Sequence, residues 1–370
     1  MKKIICFCLT LFILSNMPVG AVSTSAKAAA VINGDTGEVI YAANADENLP
    51  MASTTKIMTA LLLCENADLN EEITVTADML RVEGSSMGLL AGARVTYHDL
   101  LYGMMLASGN DAANVTAISI AGTVEKFAEM MNKKAEELGL KSTHFVTPSG
   151  LDADGHYTTA RELALLAAYA LKNEDFAKAA ASESAVLNYG NPPYRRSLTN
   201  HNKMLKLFDG AVGVKTGFTK KSGRCLVSAA RRDGKLAVAV TLNDPDDWND
   251  HANLLDYGLN SIKQTNYSPQ ISCYNIPVIG SEQEQIEVFI EPYTVNTLET
   301  ENISCDIRLP KFIYAPIAKG DILGTAEYKM GDDVIGTVEL TALRDISAVT
   351  PKISFTEEIR QNIKYILKCI

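Results

Sequence analysis

Basic residues are in short supply. Lys and Arg number 34 against 44 Asp and Glu, a formal net charge of −10 over 370 residues. A chain that grips nucleic acid needs a basic patch for the phosphates, so no nucleic-acid partner is expected. An anionic small substrate is still admissible, because it needs only a local cation. Cysteine is sparse too: seven, without regular spacing. Setting aside Cys6 and Cys8 in the first apolar run leaves Cys64, Cys225, Cys273, Cys305 and Cys369, an odd set that does not make a disulfide framework. Cys64 and Cys225 lie in segments that read as buried and are expected to be free thiols; a bridge from Cys273 to Cys305 stays open. The five histidines are isolated, and no Cys/His spacing suits zinc, so neither a metal nor a cofactor is expected.

Against these absences stands a short leader. Lys2 and Lys3 precede an apolar run over residues 4–14, then Asn16, Pro18 and the small residues Val19-Gly20-Ala21. Together they read as a cleavable secretory signal over residues 1–21, with uncleaved anchoring as the alternative. The run is too short for a comfortable membrane span. Neither Cys6 nor Cys8 follows a small-residue cleavage site as a lipid-modified cysteine would, and export is the expectation.

The chemistry-bearing stretch is Met51-Ala52-Ser53-Thr54-Thr55-Lys56, followed by apolar residues nearly all the way round a helix. Ser53 at such a helix start has two readings. It could cap orphan backbone N–H groups. It could also be a nucleophile, because Lys56 lies one turn on, on the same face, where desolvation favours a neutral amine that can accept a proton. Ser108-Gly109-Asn110 and Lys215-Thr216-Gly217 follow in order. The three elements complete the Ser-x-x-Lys, Ser-x-Asn, Lys-Thr-Gly set of penicillin-recognising serine enzymes, with Gly109 where aspartate is common.

The periodicities place these motifs. Residues 28–32 and 38–42 read as a strand hairpin, 95–107 as a helix, and Asn110 or Asp111 as the cap of a helix to about Ala121, so that Ser108 sits in a helix-to-helix corner. Residues 123–138 carry Val124, Phe127, Met131 and Ala135 on one face, with Gly139 as the stop. Residues 145–161 read as a long ordered loop before a helix near Glu162. Its His156 is a candidate general base, but more simply a residue that holds its own loop together. Strands follow at 211–219, 224–231 and 235–242, so Lys215 projects from a strand whose edge can pair with an extended peptide while Lys215 and Thr216 meet a carboxylate and Gly217 leaves room. A helix around Trp248 and Leu255 closes the first domain near Lys263. Alternating runs with many Pro and Gly make 264–352 a small all-β domain. Residues 353–370 open on a capping box at Ser354 and carry Phe355, Ile359, Ile363, Ile366 and Ile370 on one face with Arg360, Lys364 and Lys368 interleaved. That is an amphipathic tail suited to an anionic membrane surface.

With these residues in place, nearly all of the chain after the leader resembles the low-molecular-mass penicillin-binding proteins of the type-5 group, the serine-type D-alanyl-D-alanine carboxypeptidases. Pro50-Met51-Ala52, Gly84-Ser85-Ser86-Met87, Pro148-Ser149-Gly150-Leu151 and Ser222-Gly223-Arg224-Cys225 add to the resemblance. It implies an α/β (α+β) fold of β-lactamase/transpeptidase type, an antiparallel sheet flanked by helices with a helical subdomain, over 22–263, followed by the small β-domain and the tail. It also implies roles. Ser53 attacks the carbonyl between two D-alanines of a peptidoglycan stem peptide, Lys56 takes its proton and Ser108 passes it to the leaving amine. Asn110 holds the peptide backbone, Lys215, Thr216 and Gly217 receive the terminal carboxylate, and the backbone N–H groups of Ser53 and Phe218 form the oxyanion hole. β-Lactam antibiotics are the implied covalent inhibitors, and the outer face of the cytoplasmic membrane and cell wall the implied location. Some relatives have histidine where this chain has Phe218, so a deacylating role for that histidine has no counterpart here. The runner-up enzyme, a class A β-lactamase, would need a Glu-x-x-Leu-Asn loop, whereas residues 162–166 read Glu-Leu-Ala-Leu-Leu. A wall-binding scaffold with a vestigial serine fold is the non-enzymatic alternative, and acylation by labelled penicillin separates the three.

Overall fold

A computed structural model describes residues 22–298, 303–331, 333–349 and 355–368. The leader, Ser354 of the proposed capping box, Cys369 and Ile370 lie outside these, and Phe355 is described by its backbone alone. The chain divides into two units, the first ending at Ile262 and the second beginning at Lys263.

In the first unit β1 (Ala28–Asn33) and β2 (Val39–Ala43) form the opening hairpin. A 3-10 turn, Ala52–Thr55, leads into α1 (Lys56–Asn66). Short strands β3 (Glu72–Thr74) and β4 (Arg94–Thr96) precede α2 (Tyr97–Leu106), α3 (Asn110–Ala121) and α4 (Val124–Glu137). Then come α5 (Ala160–Ala170), α6 (Glu174–Ala181), β5 (Ser184–Gly190), β6 (Pro193–Thr199) and the single turn α7 (Met204–Leu207). The unit ends with β7 (Ala211–Thr219), β8 (Gly223–Arg232), β9 (Lys235–Leu242) and α8 (Asp247–Ser261). The main sheet is antiparallel in the order β2-β1-β9-β8-β7, and β7 is its edge. Strand β1, one in from the other edge, is apolar on both faces. Ala28, Ala30 and Ile32 join the core shared with α1 to α6, while Val31 meets Gly258 of α8 on the other face. The mixed α/β architecture is the one expected.

Buried residues account for the element boundaries. Ile57, Met58, Leu61, Leu62 and Leu63 are all inaccessible, so α1 runs through the core. Each such side chain contributes about 1.5–3 kcal/mol of transfer free energy. The helix expected from residue 95 starts two residues later, because Thr96 accepts from Asp99 N and Asp99 answers with a bond to Thr96 N. Neither Asn110 nor Asp111 caps α3; its N-cap is Gly109, without a side-chain bond. The helix expected near Glu162 begins at Ala160, capped by the Thr159 hydroxyl on Glu162 N. A second sheet, β3-β4-β5-β6, was not expected at all.

The second unit is all-β until its last helix. Strands β10 (Lys263–Tyr267) and β13 (Tyr293–Thr297) pair with each other. β11 (Cys273–Ile279) lies between β12 (Gln285–Phe289) and β15 (Ile313–Tyr314). β16 (Ile322–Met330) lies between β14 (Ile303–Arg308) and β17 (Asp333–Thr341). Ile276, Val278, Ile286, Val288, Tyr328 and Leu340 are among its core residues. Cys273 and Cys305 are free thiols, which removes the bridge left open above. Helix α9 (Phe355–Lys368) ends the described chain.

Candidate active site

Ser53 occupies the 3-10 turn rather than the helix proper, and the residue before it is strained. Ala52 has φ 49°, a left-handed value that costs a non-glycine residue about 1–3 kcal/mol. Its carbonyl accepts from Thr55 Oγ1 at 2.8 Å, and Thr55 Oγ1 in turn meets His156 Nε2 at 2.8 Å. The other ring nitrogen, Nδ1, accepts from Val146 N at 2.9 Å, which makes Nε2 the protonated one. Burial pushes the His156 imidazole down to about 4, so it is a neutral brace between its loop and the turn. Gly150 completes the brace: a Cβ there would lie 1.9 Å from Ala52 O.

Lys56 opens α1 with no exposed surface. Its Nζ lies 3.0 Å from Ser53 Oγ, 2.7 Å from Asn110 Oδ1 and 2.7 Å from Ser149 O. Burial holds its pKa well below the ordinary lysine value, the nearby Lys215 charge lowers it further, and Asp111 partly opposes both. The geometry also aims the lone pair. A neutral amine has two N–H donors and one acceptor site. Ser149 O can only accept, and Asn110 presents its oxygen because its Nδ2 donates to Glu83 O at 2.6 Å. Both N–H groups are thereby taken, and the lone pair faces Ser53.

Ser108 fills the corner between α2 and α3 at φ 55°, and its Oγ accepts from Lys215 Nζ at 3.1 Å. Lys215 is buried, also donates to Thr216 O at 2.9 Å, and desolvation brings it down to about 7. Asp111 ties the corner to the loop above it, accepting from Ser86 Oγ and from the backbone of Met87, Gly88 and Leu89. Strand β7 comes so close to the turn carrying Ser53 that a Cβ on Gly217 would lie 3.0 Å from Ser53 N and 3.1 Å from Met51 O. The space that Gly217 leaves is therefore filled by the turn carrying Ser53.

A cleft of about 490 Å3 brings Ser53, Ser108, Thr216, Gly217 and an exposed Phe218 together with Ser85, His201, Arg224, Cys225, Asp247 and Trp248. The last five were missed as a group from sequence. Arg224 is ion-paired with the buried Asp247 and lies 5.6 Å from the Trp248 ring, which makes it a second, oriented cation in the cleft. The Ser222-Gly223-Arg224-Cys225 string was its only sequence signal. Among the described residues no group of three or more His, Cys, Asp or Glu could hold a metal ion.

A buried lysine aimed at a serine, a Ser-Lys corner and an edge strand can together carry out acyl transfer. Comparison with known proteins agrees. Residues 15–246 match the family model described as D-alanyl-D-alanine carboxypeptidase, and residues 265–348 match that of the penicillin-binding protein 5 C-terminal domain. D-alanyl-D-alanine carboxypeptidase DacF of Bacillus subtilis is 34% identical over 334 residues, covering 87% of this chain and 86% of the relative. DacC of Escherichia coli is 29% identical over 89% of this chain and 86% of its own length. Among solved structures, the D-alanyl-D-alanine carboxypeptidase DacD of Francisella tularensis superposes with a TM-score of 0.64 at 26% identity, over 89% of this chain and 95% of the other. The Streptomyces K15 DD-transpeptidase gives 0.61 at 31% identity, over 64% of this chain and 98% of the other. With both of its units matched in order, the chain belongs to the serine D-alanyl-D-alanine carboxypeptidase family of penicillin-binding protein 5 type.

Proposed function

We propose that this carboxypeptidase works through an acyl-enzyme on Ser53, and that the roles of its neighbours follow from their hydrogen bonds. The observation that carries the reading is the environment of Lys56 Nζ, whose two N–H groups are taken by Asn110 Oδ1 and Ser149 O so that its lone pair meets the Ser53 hydroxyl. Lys56 accepts the Ser53 proton as Oγ attacks the carbonyl between the two D-alanines. The oxyanion is received by the backbone N–H groups of Ser53 and Phe218, a reading supported by the close approach of β7 to the turn. Ser108, which accepts from Lys215 and keeps its own O–H to give, hands a proton to the departing amine. Lys215 and Thr216 hold the terminal carboxylate, with Arg224 as a further cation at the cleft wall. Asn110 acts on Lys56 through its Oδ1; one N–H of its Nδ2 goes to Glu83 O, and the second N–H can serve the substrate backbone.

β-Lactams enter the same site, acylating Ser53 when the lactam opens. The natural substrate is the D-alanyl-D-alanine end of a peptidoglycan stem peptide, met outside the cytoplasm. We extend the reading to the whole chain: a leader over 1–21 removed on export, a peptidase domain over 22–263, a β-domain over 264–352 and a tail over 353–370 that lies on the membrane surface. Ser53→Ala tests the core of it. The variant should lose D-alanine release and covalent labelling by penicillin together while keeping the parent melting temperature. A penicillin adduct on the alanine variant, detected by mass spectrometry, would sink the assignment.

A further inference from the structure

Hydrolysis of the acyl-enzyme read above needs a base for the attacking water. By microscopic reversibility that water arrives where the amine departed, so its base belongs on the leaving-group side of the carbonyl. On the present reading that is the side of Ser108, Thr216 and the Lys215 ammonium. The other titratable groups of the cleft are committed elsewhere. Arg224 is a permanent cation paired with Asp247, which is itself buried in that pair. Cys225 is buried against Pro50 O, and its thiol is pushed up to about 11. Lys215 is held by Ser108 Oγ and Thr216 O. Lys56 lies beneath Ser53 without exposed surface, so water reaches it only past the ester.

His201 differs from all of these. It lines the same cleft as Ser53 and Ser108, and its ring makes no hydrogen bond among the described residues. Its backbone is nonetheless fixed. His201 N donates to Leu106 O at 3.3 Å, two residues before Ser108, and the flanking buried Asn202 takes Met204 N at 3.0 Å while donating its own N–H to Asn200 Oδ1. Partial burial and the Lys215 charge hold the imidazole below its ordinary value, which leaves a lone pair available at neutral pH.

We propose that His201 is the general base of the hydrolytic half-reaction. Its free ring nitrogen takes one proton from a water lodged where the D-alanine amine was, while the remaining hydroxide forms the new C–O bond. The imidazolium proton then passes through the Ser108 hydroxyl to Ser53 Oγ as the ester bond breaks, and the shortened stem peptide leaves as a carboxylic acid that ionises to solvent. The charge that acts on the ring is that of Lys215 from β7; Arg224 and Cys225 from β8 and Asp247 from α8 line the same cleft, and Lys203 lies on its own segment.

An ester analogue ending in D-alanyl-D-lactate, followed by rapid mixing, separates the two halves of the reaction. His201→Gln should slow hydrolysis of the acyl-enzyme about 100-fold. Lactate should then appear as a burst of one equivalent per enzyme. Acylation by penicillin, which consumes no water, should change less than about twofold and so report an intact site. In the parent enzyme the hydrolysis rate should fall at acid pH, below the ordinary imidazole range, as the ring gains its proton, and in the variant it should be flat there. An unchanged hydrolysis rate would return the base to Lys56 and overturn the proposal. Equal losses in both halves would make His201 a binding residue, and would overturn it too. A parent enzyme that releases no D-alanine would instead refute the carboxypeptidase reading on which this rests.

Discussion

Lys56 and Lys215 are both stripped of water, yet the roles proposed for them call for opposite charge states. Lys56 must be neutral to take the Ser53 proton, and its burial, reinforced by the Lys215 charge, favours that form. Lys215 must be charged to hold a carboxylate, but desolvation leaves it at only about 7 in the empty cleft. The sign of each pH effect follows. kcat/KM on a stem peptide should rise with pH as Lys56 loses its proton, then fall above about pH 7 as Lys215 loses its own, since this ratio reports the free enzyme. An ester lacking the terminal carboxylate should show the rising limb alone. Lys215→Ala should cost the carboxylate substrate about 10- to 100-fold, the worth of a charge-assisted hydrogen bond, and the ester much less. A falling limb that persists on the ester, or equal losses on both substrates, would remove Lys215 from carboxylate binding.

Between elements, the decisive contact is that of edge strand β7 with the turn before α1. A methyl group on Gly217 would press on Ser53 N, Ala52 Cβ and Met51 O at 3.0–3.1 Å, and two of these are backbone atoms of the nucleophile turn. Gly217→Ala should therefore push the strand and turn apart. The expected outcome is a stability loss of about 1–3 kcal/mol, with kcat/KM for D-alanine release falling at least about tenfold as the proposed oxyanion donors separate. Thermal melting and activity both equal to the parent would show that the contact is slack. Contacts of this kind also mark what the sequence could and could not reveal. Helix α1 and strands β7 to β9 were legible because their apolar residues form runs with few interruptions, and four motif residues, Lys56, Lys215, Thr216 and Gly217, fell on them. Strands β5 and β6 were not. Val186, Tyr194 and Arg195 point to solvent there, and only Leu187, Tyr189 and Gly190 are buried, so no apolar alternation stands out. The cleft wall of His201, Arg224, Asp247 and Trp248 was hidden for another reason: sheet order, not sequence spacing, brings those residues beside Ser53.

At the scale of the whole molecule, the proposed attachment of the tail to a membrane surface can be tested. Among the described residues no helix is long and apolar enough to cross a membrane. Helix α9 instead leaves Ile359, Ile363 and Leu367 exposed while Arg360, Lys364 and Lys368 alternate with them along the helix. Apolar side chains left in water on a helix that also carries basic ones favour the interface of an anionic bilayer, where each basic residue adds about 1 kcal/mol at low ionic strength. Two terms then act together, and each can be varied separately. The full-length chain should sediment with vesicles containing phosphatidylglycerol, bind neutral vesicles weakly, and lose part of its binding as salt rises. Replacing Arg360, Lys364 and Lys368 by Gln should remove the salt-sensitive part, leaving the weak apolar part. A chain ending before Phe355 should stay in the supernatant with every vesicle yet release D-alanine at the parent rate, since the active-site residues belong to the first unit. If that truncated chain sedimented with anionic vesicles as well as the parent does, attachment would have to come from elsewhere in the chain.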